Sequence, residues 1–174
     1  MTSKNTVTVK ASAEAAWKLI GEDFVRVDRW MAAIPRAEPI PGPALPGAPA
    51  RGRYSYLIKK FEPIYQEEVL TSYDPANTTI SVDVTLHNLG RLVPMRGYTA
   101  TVIIKTIDAA NCTVTWIGDA TPKWFGKLMR GQLTKGLDAG FIRSLEEIQH
   151  MLETGEPHPR KIEKIKSEAA LAAA

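Results

Sequence analysis

Residues 124–152, WFGKLMRGQLTKGLDAGFIRSLEEIQHML, decide the fold. Leu133, Leu137, Phe141, Leu145, Ile148 and Leu152 recur at spacings of three and four, which puts them on one arc of an α-helix. Lys135, Asp138, Arg143, Glu146 and Gln149 fall on the other side. Pro122 precedes the segment, where a proline is tolerated in a first helical turn. Gly155, Pro157 and Pro159 stop it. A helix of this length with one apolar arc needs an apolar surface to lie on.

Upstream, that surface is a sheet. Thr78 to Leu86 alternates Ile80, Val82, Val84 and Leu86 with polar residues, the period of a strand with one buried face. Similar runs are predicted at Arg53 to Lys60, Ile64 to Tyr73, Gly97 to Ile107 and Cys112 to Gly118. Asp74-Pro75-Ala76-Asn77 and Asp108-Ala109-Ala110-Asn111 supply turns, and such short connections imply antiparallel neighbours. At the front, Thr6 to Lys10 reads as a strand. A helix follows, N-capped by Ser12 with Ala13, Ala16, Trp17 and Ile20 on one face, then a second short helix from Phe24 to Ala33.

Pro35, Pro39, Pro41, Pro43, Pro46 and Pro49 hold six of the twelve prolines, so this stretch is an extended connector with an edge strand near Ile40. Only about 35 residues precede it, too few for a core of their own, so it is not a domain linker. The predicted fold class is α+β. A curved antiparallel sheet of about seven strands wraps a long C-terminal helix, and two short helices follow the first strand. Residues 1–155 form one ligand-binding domain, and 156–174 a helical, loosely packed tail.

The order and spacing of several pieces resemble the START and birch-pollen-allergen superfamily, in particular its bacterial polyketide cyclase/dehydrase-like and lipid-transport members. The pieces are Val7-x-Val9-x-Ala11-Ser12-Ala13-x-x-x-Trp17, Asp23-Phe24, Trp30, and Glu67-Glu68-Val69-Leu70 with Tyr73-Asp74. They continue with Pro94, Tyr98, Ala100-Thr101-Val102, Thr115-Trp116 and Gly136-Leu137, and the resemblance spans about residues 5 to 153. It implies a helix-grip fold around a hydrophobic cavity that takes lipids, polyketides, hormones or aromatic intermediates. Members include enzymes, carriers and receptors, so it implies no single activity.

The candidate site residues follow from both readings. Adjacent Glu67 and Glu68 point to opposite faces of a strand, so only one can face inward. The resemblance implies that Glu67 does, beside Val69 and Thr71, where desolvation would raise its pKa; the alternative is a surface glutamate paired with a lysine. Tyr98 shares a face with Ala100 and Val102, and the family carries a pocket tyrosine at its position. Tyr56 is a candidate of the same kind. Glu67 and Tyr98 are the catalytic candidates; Val69, Tyr56, Ala100, Trp116, Gly136, Leu137, Gly140 and Phe141 join them as ligand-binding candidates. Gly136 and Gly140 sit at and within the apolar arc. There they either leave room for a ligand or allow close packing against a residue such as Trp116. Asp28 and Arg36 lie near a pocket mouth or are surface charges, and the segments Lys59 to Pro63 and Leu92 to Gly97 border the cavity entrance in relatives.

Composition bounds the function classes. The net charge of +3 is mild, and basic residues are not interleaved with stacking aromatics, so no nucleic-acid partner is expected. No run approaches 18 apolar residues, which argues against integral membrane association. One cysteine, Cys112, precludes an intrachain disulfide, and the first residues lack an apolar signal core; both point to the cytoplasm. His87, His150 and His158 have no local ligand spacing, so neither metal nor cofactor is expected. Three function classes remain: binding of a small hydrophobic ligand, a metal-independent polyketide cyclase/dehydratase-like enzyme, or a ligand-gated protein-interaction module. Monomer and homodimer both stay open.

Overall fold

The chain forms seven strands in a computed structural model that describes residues 2–57 and 64–173. These are β1 (Thr2–Val9), β2 (Arg36–Pro39), β3 (Gly52–Tyr56), β4 (Tyr65–Asp74), β5 (Thr79–His87), β6 (Met95–Thr106) and β7 (Cys112–Pro122). They form one antiparallel sheet in the order β1-β7-β6-β5-β4-β3-β2. Ile58 and the expected rim loop Lys59 to Pro63 lie outside the described residues.

Between β1 and β2 the chain turns through α1 (Ala13–Trp17), a π-helical turn at Lys18–Glu22 and a 3-10 turn at Phe24–Arg29. The Ser12 hydroxyl accepts from the Ala15 amide at 3.1 Å and caps α1. The second expected helix is therefore shorter than its apolar pattern, ending at Arg29 rather than Ala33. The edge strand stops just before Ile40, whose amide still donates to Gly52.

The long helix also starts later than its periodicity. Trp124–Met129 winds as 3-10 helix, and α2 runs from Arg130 to Thr154. The cause is a close backbone approach. Lys123 donates its amide to the Pro94 carbonyl at 2.8 Å, and a Cβ on Gly126 would meet that same oxygen at 2.1 Å. Gly155, with φ of 78°, closes α2 in the left-handed region.

α2 packs over β1 and β7. Trp116 of β7 stacks on Phe141 with ring centroids 5.2 Å apart, and a Cβ on Gly118 would strike the Phe141 ring at 2.8 Å. Polar clamps fix the same edge: Ser3 and Asn5 donate to Asp138 at 2.8 and 2.7 Å, and Gln149 donates to the Thr8 carbonyl. Held there, α2 leaves the inner face of β3 to β6 partly uncovered. A third helix, α3 (Pro159–Ala173), docks by its first turn. Lys161 is buried and donates to the Ile34 carbonyl at 2.7 Å, while Arg160 pairs with Glu146 at 2.6 Å. The tail is thus anchored where the sequence suggested loose packing.

Candidate functional site

The uncovered part of the inner face is a cavity of about 350 Å³ between the sheet and α2. Its sheet wall carries Arg53, Gln66, Glu68, Met95, Tyr98 and Trp116. Its helix wall carries Leu133, Gly136, Leu137, Gly140, Phe141 and Ser144, and Met31, Ala33 and Ile34 close one side. A smaller pocket of about 40 Å³ lies deeper, between Ile20, Phe24, Trp30, Val82 and Ala100, and shares Arg53, Glu68, Tyr98 and Trp116 with the larger one.

Those shared residues form a buried polar group in an apolar lining. Arg53 Nη2 donates to Glu68 Oε2 at 2.7 Å, with side-chain exposures of 9% and 6%. Ser55 donates to the other Glu68 oxygen, and Arg53 also donates to the Phe24 carbonyl while its guanidinium lies 4.2 Å over the Phe24 ring. Tyr98 donates its hydroxyl to Gln66 at 3.1 Å. Burial pushes the Tyr98 phenol well up, and the negative charge of Glu68 adds to that, so the hydroxyl keeps its proton. Two buried donors of these residues, Arg53 Nε and Trp116 Nε1, have no partner among the described residues. A buried N–H without an acceptor is costly.

The sequence-derived candidates divide. Tyr98, Trp116, Gly136, Leu137, Gly140 and Phe141 line the larger cavity, and Ala100 lines the deeper pocket. Open space lies around both helix glycines, since nothing stands within 4 Å of a Cβ built on Gly136 or Gly140. The close helix–sheet approach occurs instead at Gly118, on the sheet.

Glu67, Val69 and Tyr56 must be corrected. Glu67 is half-buried on the outer face, 2.9 Å from His87 Nε2, and His87 stacks on Tyr65. Val69 alternates with the inward Glu68 and Leu70 and so points outward with Glu67. Tyr56 packs against Tyr65 outside, donates to Glu38 at 3.1 Å and lies under Arg36. The physical reason is a register shift in the β4–β5 pairing between Leu70 and Ser72. Tyr73 points inward against Trp17, with ring centroids 5.1 Å apart. An unbroken alternation counted back from Tyr73 lands on Glu67, whereas the extra residue puts Leu70, Glu68 and Gln66 on the inner face.

Arg53 and Glu68 are the residues that sequence reasoning missed. The signal was Arg53-x-Ser55 in β3, a polar alternation opposite the more conspicuous Tyr54-x-Tyr56. Of the two charged candidates near the corner, Asp28 stands 3.5 Å from Arg26 and Arg36 pairs with Glu38.

Residues 2–148 match the family described as polyketide cyclase/dehydrase and lipid transport. The chain belongs to that family. No curated protein matches its sequence. Among solved structures, the protein XoxI from Bacillus cereus is similar at a TM-score of 0.68 and 18% identity, covering 90% of this chain and 99% of its own. The Zhui aromatase/cyclase from Streptomyces sp. R1128 is similar at 0.66 and 14%, covering 91% and 99%. A START superfamily protein from Mycobacterium smegmatis follows at 0.57 and 15%, covering 84% and 98%. At such identities the likeness is one of fold, the helix-grip arrangement. Among the described residues, no helix is long and apolar enough to cross a membrane.

Proposed function

We propose that this protein binds a small, mostly hydrophobic molecule (a lipid, polyketide or aromatic intermediate) in the cavity between its sheet and α2. The observation that carries the reading is the largely apolar cavity of about 350 Å³ with the Arg53–Glu68 pair and Tyr98 in its lining. Its size falls in the range of roughly 300–1,000 Å³ common for small-molecule sites. Apolar contact with Leu133, Leu137, Phe141 and Met95 supplies affinity, and the Arg53–Glu68 pair and the Tyr98 hydroxyl orient an oxygen-bearing end of the ligand. The aromatase/cyclase among its structural relatives supports a polycyclic aromatic or polyketide ligand.

The test is displacement of a fluorescent hydrophobe, anilinonaphthalene sulfonate, by a panel of fatty acids and fused-ring phenols. The expected result is saturable binding that Gly140→Leu abolishes by filling the cavity. Binding unaffected by Gly140→Leu would place the hydrophobe elsewhere and sink the reading.

A second reading, cyclisation or dehydration, is favoured by one feature. Tyr98 keeps its proton at neutral pH in a desolvated site, so it can donate a hydrogen bond to a carbonyl as charge develops there. In this reading Tyr98→Phe abolishes turnover of a polyketide substrate while leaving its binding within a few-fold; equal loss of both would leave only a binding role. Glu67 has no part in either reading, because it faces away from the cavity.

A further inference from the structure

The protein's most exposed apolar side chains are gathered in one place. Leu128 is 98% exposed, Leu92 91% and Trp124 79%, although the other tryptophans are all buried. Leu92 stands in the loop between β5 and β6, and Trp124 and Leu128 in the 3-10 turn before α2. The two segments are joined: Lys123 donates through its backbone to Pro94 and through its side chain to the Arg91 carbonyl, and Gly126 packs on Pro94. They form one surface.

The charge of this surface is one-sided. Segments 88–97 and 120–137 contain no Asp or Glu, yet they carry Arg91, Lys123, Lys127 and Arg130 around the apolar residues, in a chain with a net charge of only +3. A tryptophan and leucines on a loop tip, ringed by cations, have the chemistry of an interfacial anchor. The apolar groups sit below the headgroups while the cations meet acidic lipids. A single 3-10 turn and one loop make a narrow tip, which suits insertion into a lipid surface better than the broad contact a protein partner requires. The tip also adjoins the cavity. Met95, next to Pro94, and Leu133, one turn beyond Met129, both line it.

We infer that Leu92, Trp124 and Leu128 dock this protein on a membrane surface containing anionic phospholipid, with the cavity's end turned toward the bilayer. Docking rests on this surface alone; its use to load or unload the cavity rests on the binding function proposed above. Docked in this way, the protein exchanges an apolar ligand with the bilayer without carrying it through water.

The experiment is co-sedimentation with phosphatidylcholine vesicles containing about one third phosphatidylglycerol, beside vesicles of phosphatidylcholine alone. Tryptophan emission is followed in parallel. The full chain should bind the anionic vesicles, bind the neutral ones at least about tenfold less well, and lose affinity as salt is raised. Emission should shift to the blue, and this shift should vanish in Trp124→Phe, because Trp17, Trp30 and Trp116 are already buried. The double variant Leu92→Glu/Leu128→Glu, whose side chains touch little in the folded protein, should keep its circular dichroism and lose vesicle affinity by about tenfold or more. No binding to anionic vesicles, or equal binding by the double variant, overturns the proposal. The same holds if the patch receives an acidic protein, since vesicles would then leave Trp124 unchanged. Hydrophobe binding without vesicles is measured on the same samples, so a failed cavity and a failed docking surface give different results.

Discussion

Arg53 and Glu68 illustrate how much depends on a single pair. Both are buried, each holds the other at 2.7 Å, and Ser55 and the Phe24 carbonyl complete the shell. Removing one partner leaves a buried charge uncompensated, so Arg53→Ala or Glu68→Ala should each cost about 3–5 kcal/mol by urea denaturation. Replacing both, as Arg53→Met with Glu68→Leu, should cost much less, because the charge pair then leaves the interior together. Glu67→Gln tests the adjacent position. On the outer face its loss should change stability by less than about 1 kcal/mol and leave cavity binding unaltered. A Glu67→Gln variant with impaired ligand affinity would contradict the register described here.

At the scale of one element, α2 and the turn before it carry glycines with opposite roles. Gly136 and Gly140 face open space, so nothing in the folded protein requires them to lack a side chain. Gly140→Ala should raise stability by about 0.5–1 kcal/mol, measured as a shift in thermal midpoint, with ligand binding kept. Larger residues there should stabilise less and block the cavity. Gly126, just ahead of α2, is the contrary case. A Cβ there would overlap the Pro94 carbonyl oxygen, so Gly126→Ala should lower the thermal midpoint and disturb the segment bearing Trp124. Helix propensity favours alanine at both, so it foretells the gain at Gly140 and not the loss at Gly126.

The whole molecule includes α3, which lies beyond the family match and is fastened to the domain by Lys161 and Arg160. His158 sits at the start of this attachment. Its Nδ1 accepts from the Arg160 amide at 3.2 Å, its ring meets His150 at 5.1 Å, and burial followed by the charge of Arg160 holds its pKa below the ordinary 6.5. A histidine with a depressed folded pKa binds its proton more readily in the unfolded chain. Its contribution is therefore complete above the ordinary value and is lost as the pH falls through it. Amide protection in α3, taken relative to the intrinsic exchange rate at each pH, should accordingly fall as the pH drops from about 7.5 to about 5.5, and His158→Asn should flatten that fall. Protection that is constant over this interval would show that His158 does not govern the attachment.

The order and type of the main elements were legible in the residues alone. The arc Leu133-Leu137-Phe141-Leu145-Ile148 could only be one face of a helix, and Ile80-Val82-Val84 could only be one face of a strand, because each periodicity follows from the backbone geometry. Part of the site was legible for the same reason. Tyr98, Ala100 and Trp116 lie on uninterrupted alternations, so their inward side follows from their neighbours. Tertiary structure alone decided the polar end of the cavity. One extra residue in β4 moved Glu68 to the position its neighbour was expected to hold, and a bulge has no period by which to announce itself. Burial of Arg53 likewise depends on a partner fifteen positions away and on the Phe24 carbonyl, contacts that exist only once β3, β4 and the corner before β2 have met.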